Sequence, residues 1–264
     1  MKFQSLLGVL LIFFISLGHT VGQSNSEFNL KNDKDQKVGE WKGYHKDGSL
    51  RYKGQFENDK PYGTFRHYFT EGKVQSILIY KTPSVAYATH YYSTGEKLAK
   101  GKYINQKKDS TWLTYGAKNK VVEQGDYDIG KKTGIWKNFY LSGATSAEVN
   151  YYNNIKEGSY ILYFENGKVK EESTFARGKL NGLSTLYDSQ GKKILKGIYK
   201  NGGRDKRWIY YNGKQQVDKV LLYENGKLMN PEELDKIEED LEKYKSNRKD
   251  VLEFEDLRGR ISYE

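Results

Sequence analysis

Eight positions at one spacing constrain this chain more than anything else in it. Trp41, Phe65, Ala88, Trp112, Trp136, Tyr160, Ser184 and Trp208 follow one another every 24 residues, apart from a 23-residue step between Phe65 and Ala88. Three residues after each stands a second aromatic, at Tyr44, Tyr68, Tyr91, Tyr115, Phe139, Tyr163, Tyr187 and Tyr211. Fifteen residues after each stands a third, at Phe56, Tyr80, Tyr103, Tyr127, Tyr151, Phe175, Tyr199 and Tyr223. A fixed period of this kind marks tandem supersecondary units that bury their apolar surface only by stacking on neighbours.

Turn-forming residues keep the same time. Gly48, Gly72, Gly95, Asn119, Gly143, Gly167 and Gly191 lie seven residues into their units, and in the last copy Gly213 comes early. Asp59, Gly130, Asn154, Gly178, Gly202 and Gly226 lie eighteen residues in. Glycine, and to a lesser degree Asn and Asp, tolerate the positive φ that tight hairpin turns require. Two aromatic-rich runs of about six residues, each closed by such a residue, read as a β-hairpin, and no helical stripe survives between the turns. The expected fold is all-β: an elongated antiparallel meander of about eight 24-residue hairpins. Its sixteen or so strands form a ribbon on the order of 75 Å long.

Two details stay open in the sequence. Positions 0 and +3 of a regular strand point to opposite faces, so either both faces carry rings or a bulge intervenes. A small residue recurs at position +13, as Gly54, Gly101, Gly125, Ser173 and Gly197. Glycine inside a strand marks either close approach of a bulky group, here the position-zero ring of the same hairpin, or a simple bulge.

The unit reads G-x-W-x-x-Y-x-x-x-G-K, a short strand, then G-x-Y-x-x-G-K. It is nearly complete from Gly134 and Trp136 to Tyr151, from Gly158 and Tyr160 to Lys168, and from Gly39 and Trp41 to Phe56. This resembles the MORN-type repeat, in the variant grouped as the YwqK-type toxin-antitoxin "antitoxin" family, over residues 39 to 228. The resemblance implies a MORN-like binding scaffold of stacked hairpins with no catalytic residues. Ala88, Ser184, Ser110 and Lys206 depart from the pattern and mark locally weaker copies.

The ends have a different character. Residues 1–22 combine Lys2, an apolar stretch from Leu6 to Leu17 and small residues up to Gly22, which is the anatomy of a secretory signal peptide. Residues 23–38 are polar and read as a flexible lead-in, with Phe28 and Leu30 available for a stray capping strand. The hairpins occupy 39–229. In 230–264, Asn230, Pro231 and Glu233 form a helix start, and Leu234, Ile237, Leu241 and Tyr244 share one face of a helix over about 231–247. That helix is expected to cover the last hairpin. The chain holds no cysteine, which excludes disulfides and thiol chemistry.

Charge divides the molecule. Residues 231–264 hold 7 Lys or Arg against 12 Asp or Glu, so the chain's net +10 leaves +15 on residues 1–230, and +14 once Lys2 leaves with the leader. Lys73, Lys168 and Lys192 follow the turns of one edge, and Lys60, Lys131, Lys179 and Lys227 those of the other. Charge on both edges reads as protection against edge-to-edge pairing rather than as one recognition stripe.

Candidates for chemistry are few. His67 and His90 occupy the same position in adjacent units, about 10 Å apart, too far to share a metal ion, and read as surface residues. No paired carboxylates, nucleophile triad or phosphate loop recurs, so neither cofactor nor catalytic residue is assigned. The repeating rings read as structural. The expected role is an exported, non-enzymatic scaffold for protein–protein interaction in the periplasm or envelope. Alternatives are a module for anionic lipid or cell-wall glycan, and an antitoxin-like neutraliser of a partner. Nucleic acid is not expected as a partner.

Overall fold

The computed structural model describes residues 27–231. The expected signal peptide and C-terminal helix lie outside the described residues. Nineteen strands follow one another as an open antiparallel meander. They are β1 (Leu30–Lys31), β2 (Lys37–Tyr44), β3 (Leu50–Glu57), β4 (Lys60–Tyr68), β5 (Val74–Thr82), β6 (Val85–Tyr91), β7 (Lys97–Ile104) and β8 (Lys107–Tyr115). The chain continues through β9 (Val121–Asp128), β10 (Lys131–Phe139), β11 (Thr145–Tyr152), β12 (Ile155–Tyr163), β13 (Val169–Ala176), β14 (Lys179–Leu180) and β15 (Gly182–Tyr187). It ends in β16 (Lys193–Lys200), β17 (Gly203–Tyr211), β18 (Val217–Glu224) and β19 (Lys227–Leu228). The three strands beyond the expected sixteen are the short end strands β1 and β19 and the division of one strand into β14 and β15. The lead-in is therefore ordered from Leu30, because β1 pairs with the start of β2.

The turns have the chemistry that their sequences demand. At one edge both central residues adopt left-handed φ in all turns from that of Asn58 and Asp59 onward but that of Pro83 and Ser84, as in Asn153 and Asn154 (51° and 71°) or Asn201 and Gly202 (52° and 90°). That is the two-residue hairpin turn whose twist matches the strands. At the other edge a single left-handed residue closes most turns, Gly143 for example at 96°, while in the fourth unit Lys118 and Asn119 (57° and 55°) are both left-handed. In the last unit Gln215, at 63°, holds this place rather than the early Gly213.

Rings occur on both faces, and a bulge is present as well. Trp41 pairs with Gly54 and Gly43 with Tyr52, but Tyr44 pairs with Leu50, leaving Arg51 as an extra residue. The same register shift precedes the second aromatic of every other unit, from Tyr68 to Tyr211.

A larger bulge joins successive hairpins and explains the small residue at +13. Between β9 and β10 the pairing jumps from Asp126–Thr133 to Gln124–Lys137, so that Gly134, Ile135 and Trp136 face Gly125 alone. Equivalent jumps set Phe65 against Gly54, Trp112 against Gly101 and Trp208 against Gly197. A Cβ on Gly125 would stand 2.1 Å from the Trp136 ring, and Cβ atoms on Gly54, Gly101 and Gly197 would meet Phe65, Trp112 and Trp208 at 2.2–2.3 Å. The gap is thus filled by the ring of the following hairpin, eleven residues downstream, and not by the ring of its own hairpin. The first bulge residue is left-handed in each case: Gly63 (65°), Ser110 (57°), Gly134 (65°) and Lys206 (59°). Ser110 and Lys206 occupy a conformation that suits glycine better, which is the physical content of their departure from the repeat.

Where the ring is missing, its seat changes with it. Ala88 faces Leu78 in a ladder that is regular from Ser76 to Tyr80; the three-residue bulge is absent and a single extra residue, Lys81, stands on the other strand, which together make the 23-residue step that precedes Ala88. Tyr160 pairs with Val149. Ser184 Oγ donates to Ser173 Oγ (2.8 Å), which donates to Glu171 (2.8 Å), a polar contact buried from solvent.

Most of the buried residues belong to this one face, among them Trp112 and Trp136 (each 3% exposed) and Trp208 (1%). Asparagine side chains close both ends of the sheet. Asn29 accepts from Lys42 N (2.7 Å), while Asn230 accepts from Leu222 N (2.7 Å) and donates to Val220 O (2.9 Å). These bonds occupy groups that would otherwise template pairing with another chain. Gly125→Val adds a Cβ and two methyl groups where the indole lies, and thermal or denaturant unfolding should show a loss of about 1–3 kcal/mol.

Candidate functional site

The position-zero and +15 rings form one row on the buried face. Their contacts are mostly edge-to-face, from Trp41–Phe56 (6.1 Å), Phe56–Phe65 (5.2 Å) and Phe65–Tyr80 (5.2 Å) to Tyr199–Trp208 (4.8 Å) and Trp208–Tyr223 (6.3 Å). The middle of the row runs Tyr103–Trp112–Tyr127–Trp136–Tyr151 at 4.9, 6.3, 5.0 and 6.1 Å, and Tyr160 meets Phe175 at 5.3 Å. Each indole N–H finds a carbonyl that the bulge leaves available. Trp112 donates to Lys102 O (3.0 Å), Trp136 to Asp126 O (3.1 Å) and Trp208 to Ile198 O (3.1 Å). Trp41, with no preceding unit, donates to Leu30 and Val38.

A cation four residues before the ring lies over the row, which sequence reasoning missed. Lys37, Lys108, Lys132, Lys156 and Arg204 each lie over two rings, with Lys132 Nζ 3.8 Å from Trp136 and 5.2 Å from Tyr151. The next turn fixes their backbone: Asp59, Gly130, Asn154, Gly178 and Gly226 N–H groups donate to the carbonyls of these five residues at 2.7–3.1 Å. Asp59 and Asn154 side chains also accept the N–H of Lys37 and Lys132. The signal was legible as a cation in register with the rings. The turn lysines Lys60, Lys131, Lys179 and Lys227, by contrast, are exposed.

The +3 aromatics occupy the opposite face, apart from the ring row. There Tyr187 donates to Glu172 (3.0 Å) and Tyr163 to Glu148 (3.5 Å). Tyr44 is exposed, whereas Tyr115 is buried. Cross-strand ion pairs Lys102–Asp109 (3.0 Å) and Lys137–Glu148 (2.9 Å) belong to this wetter face.

The histidines are not surface residues as expected. His67 and His90 point to the buried face on either side of Ser76, which pairs with both across the strands. His67 Nδ1 is 3.1 Å from Ser76 Oγ, and Tyr52 stands 6.1 Å away. His90 Nε2 is 3.2 Å from Tyr103 OH, and its ring stacks on Trp112 at 6.0 Å. Burial, then the Arg51 charge, lowers the His67 pKa; burial, then Lys108 and His67, brings that of His90 to about 4. Among the described residues no group of three or more His, Asp or Glu is placed to hold a metal.

Three segments, 37–58, 61–82 and 156–176, match the MORN repeat variant. Each window opens at the cation position, on Lys37, Pro61 and Lys156. MORN repeats are non-enzymatic modules that in general bind proteins or membrane lipids. The match is to the variant as such and leaves the YwqK-type assignment unconfirmed. No curated protein matches the chain. Among solved structures, a crystal structure of TarM is similar at 20% identity, covering 35% of this chain and 20% of that one with a TM-score of 0.27. A mutant TarM from S. aureus, in complex with fondaparinux, alpha-GlcNAc-glycerol and UDP, is 19% identical over 41% of this chain and 19% of that one, TM-score 0.27. The chain thus spans about a fifth of the length of these structures.

Because both histidines are held neutral, their contribution to stability is complete above about pH 6.5. It declines as the pH falls from there toward 4, where the unfolded chain binds protons that the folded chain resists. The melting temperature should drop across this window, and His90→Asn should flatten the drop. Asp47 and Asp109, whose hydrogen bonds to Ser49 and Lys102 lower their pKa below 3.8, titrate outside the window.

Proposed function

We propose that this chain is an exported, non-enzymatic scaffold that binds another protein at the cell envelope through the wetter face of its sheet. The observation that carries the reading is the division of labour between the faces. The ring face is occupied by its own packing, with Trp112, Trp136 and Trp208 at 1–3% exposure and cations lying over the rings. The other face keeps regular geometry but changes side chains from unit to unit, as Glu40, Thr64, Tyr87, Thr111, Ile135, Ser159, Leu183 and Arg207 do at one position. Residues that the fold does not fix are available for recognition. Ile79 and Tyr87, cross-strand neighbours there, are 44% and 50% exposed.

Binding to anionic lipid or glycan needs free cations and open rings, and the buried ring row offers little of either. The antitoxin-like reading rests on family resemblance alone. Tagged full-length protein recovered from its native envelope should retain a partner protein at about 0.5 M salt, where surface charges are screened beyond roughly 4–5 Å. Ile79→Thr with Tyr87→Glu, which sets no like charges opposite each other, should release it with little change in the melting temperature. Binding to anionic vesicles that falls away with salt, with no protein retained, would favour the lipid reading instead.

A further inference from the structure

The turns that join successive hairpins line one edge of the sheet, and their positions recur, so each joint can be compared with its neighbours. Between the units of Tyr160 and Ser184, the turn of Arg177 and Gly178 lies beside that of Asn201 and Gly202. A cavity of about 500 Å³ opens there, lined by Ala176, Arg177, Lys179, Asn181, Lys200 and Asn201. The backbone around it is fixed. Gly178 N donates to Lys156 O (3.0 Å) and Gly202 N to Leu180 O (2.8 Å), while Asn201 N donates to Asn181 Oδ1 (3.2 Å). The Lys179 stem rests against the second turn, since a Cβ on Gly202 would stand 3.9 Å from Lys179 Cβ.

The lining consists of donors. Arg177, Lys179 and Lys200 enter none of the ion pairs of the described residues, and no carboxylate lines the cavity. Asn181 keeps its amide NH2 once its oxygen has accepted from Asn201. At the equivalent positions the joint before carries Tyr152 and Glu157, and the joint after carries Asp205 and Glu224. Ala176 thus leaves open the space of a Tyr152 side chain, and Asn181 replaces the carboxylate of Glu157 or Asp205. Glu157 itself stands on β12, across β13 from the cavity, where it accepts from Arg177 N (2.7 Å). Arg177 is also out of place in its turn. Its φ of 50° is left-handed, and Asn58, Asn105, Asn153, Asn201 and Asn225 hold that place in other units. Asparagine suits this conformation better than arginine, so the turn does not account for the guanidinium.

Three cations and a spare amide, with no acceptor charge among them, match a multivalent oxyanion. A phosphomonoester carries about −1.5 to −2 charge at pH 7 and three strong acceptor oxygens, and a guanidinium can take two of these at once. The cavity exceeds the size of such a group and falls within the range that holds small molecules, while the Asn201 side chain offers both a donor and an acceptor to hydroxyl groups. We infer that this joint binds the phosphomonoester group of a hydroxylated molecule of monosaccharide size, with Arg177, Lys179 and Lys200 around the phosphate. The site is separate from the protein-binding face of Ile79 and Tyr87 and does not depend on it.

Calorimetric titration of the full chain with glucose 6-phosphate at about pH 7.5, above the phosphate's second pKa of about 6, should show saturable one-site binding with a Kd no weaker than about 1 mM. Glucose should show none. Arg177→Asn, which restores the turn residue of the other units, should keep or raise the melting temperature and weaken binding at least about tenfold, the worth of one charge-assisted hydrogen bond. Ala176→Tyr, which restores the residue of the preceding unit, should abolish binding. Lys131→Gln removes an exposed cation from the repeat position of Lys179 two units earlier and should leave the affinity unchanged. No saturation at about ten times the expected Kd, or equal affinity in the parent and Arg177→Asn proteins, would overturn the inference. An equal loss with Lys131→Gln would also overturn it, by assigning the phosphate to the general field of the basic array.

Discussion

The seat of each ring on the small residue of the hairpin before it is the contact on which the structure depends. A single-layer sheet has no second layer against which to bury side chains, so its core must be made along its own length. Here a three-residue bulge carries Trp136 over Gly125, the bulge frees a carbonyl for the indole N–H, and the ring then meets Tyr127 and Tyr151 on either side. One contact thereby joins two units and fixes their spacing. Stability becomes a sum over neighbouring pairs, as in other linear arrays. The cations over the rings add to the same contact, since an ammonium over an indole contributes about 0.5–1 kcal/mol at exposed sites and more when desolvated.

The two interruptions show how the rule is kept when its residues change. At Ala88 the ring is gone, the seat is Leu78, the three-residue bulge is replaced by one extra residue at Lys81, and His67 and His90 flank Ser76 beside it. At Ser184 the seat is Ser173, and a hydroxyl chain ending on Glu171 replaces the ring contact. Both joints exchange apolar contact for polar groups that need partners. They are where pH and mutation act most strongly on the array.

Much of the architecture was legible in the sequence because its signals are local. Turn residues at fixed offsets dictate left-handed φ, and alternation between them dictates strands, so the hairpins and their order followed from spacing alone. The partner of the gap did not follow. In a 24-residue period, a residue at +13 is thirteen positions after one ring and eleven before the next, and periodicity gives both rings equal standing. Only the register, set by the bulge, chooses Trp136 for Gly125. The lysines at −4 were equally visible, but a charge next to a turn lysine reads as solvated until the fold shows that Lys132 points over Trp136 while Lys131 points away. Gln215 was hidden for a related reason: the turn position outranked the residue type, and a glutamine took the left-handed place for which a nearby glycine was the better chemical fit.

A scaffold that consumes one face to hold itself together leaves the other to vary, and this links the packing rule to the binding role. The rule is tested most directly by a double-mutant cycle at one seat, with Gly125→Leu and Trp136→Ala made singly and together to reproduce the natural Leu78–Ala88 pair. The account predicts that each single change destabilises, by about 1–3 and 3–5 kcal/mol, and that the double variant recovers at least about 1 kcal/mol relative to their sum. Additivity within about 0.3–0.5 kcal/mol would mean that ring and gap do not share a space, and would contradict it.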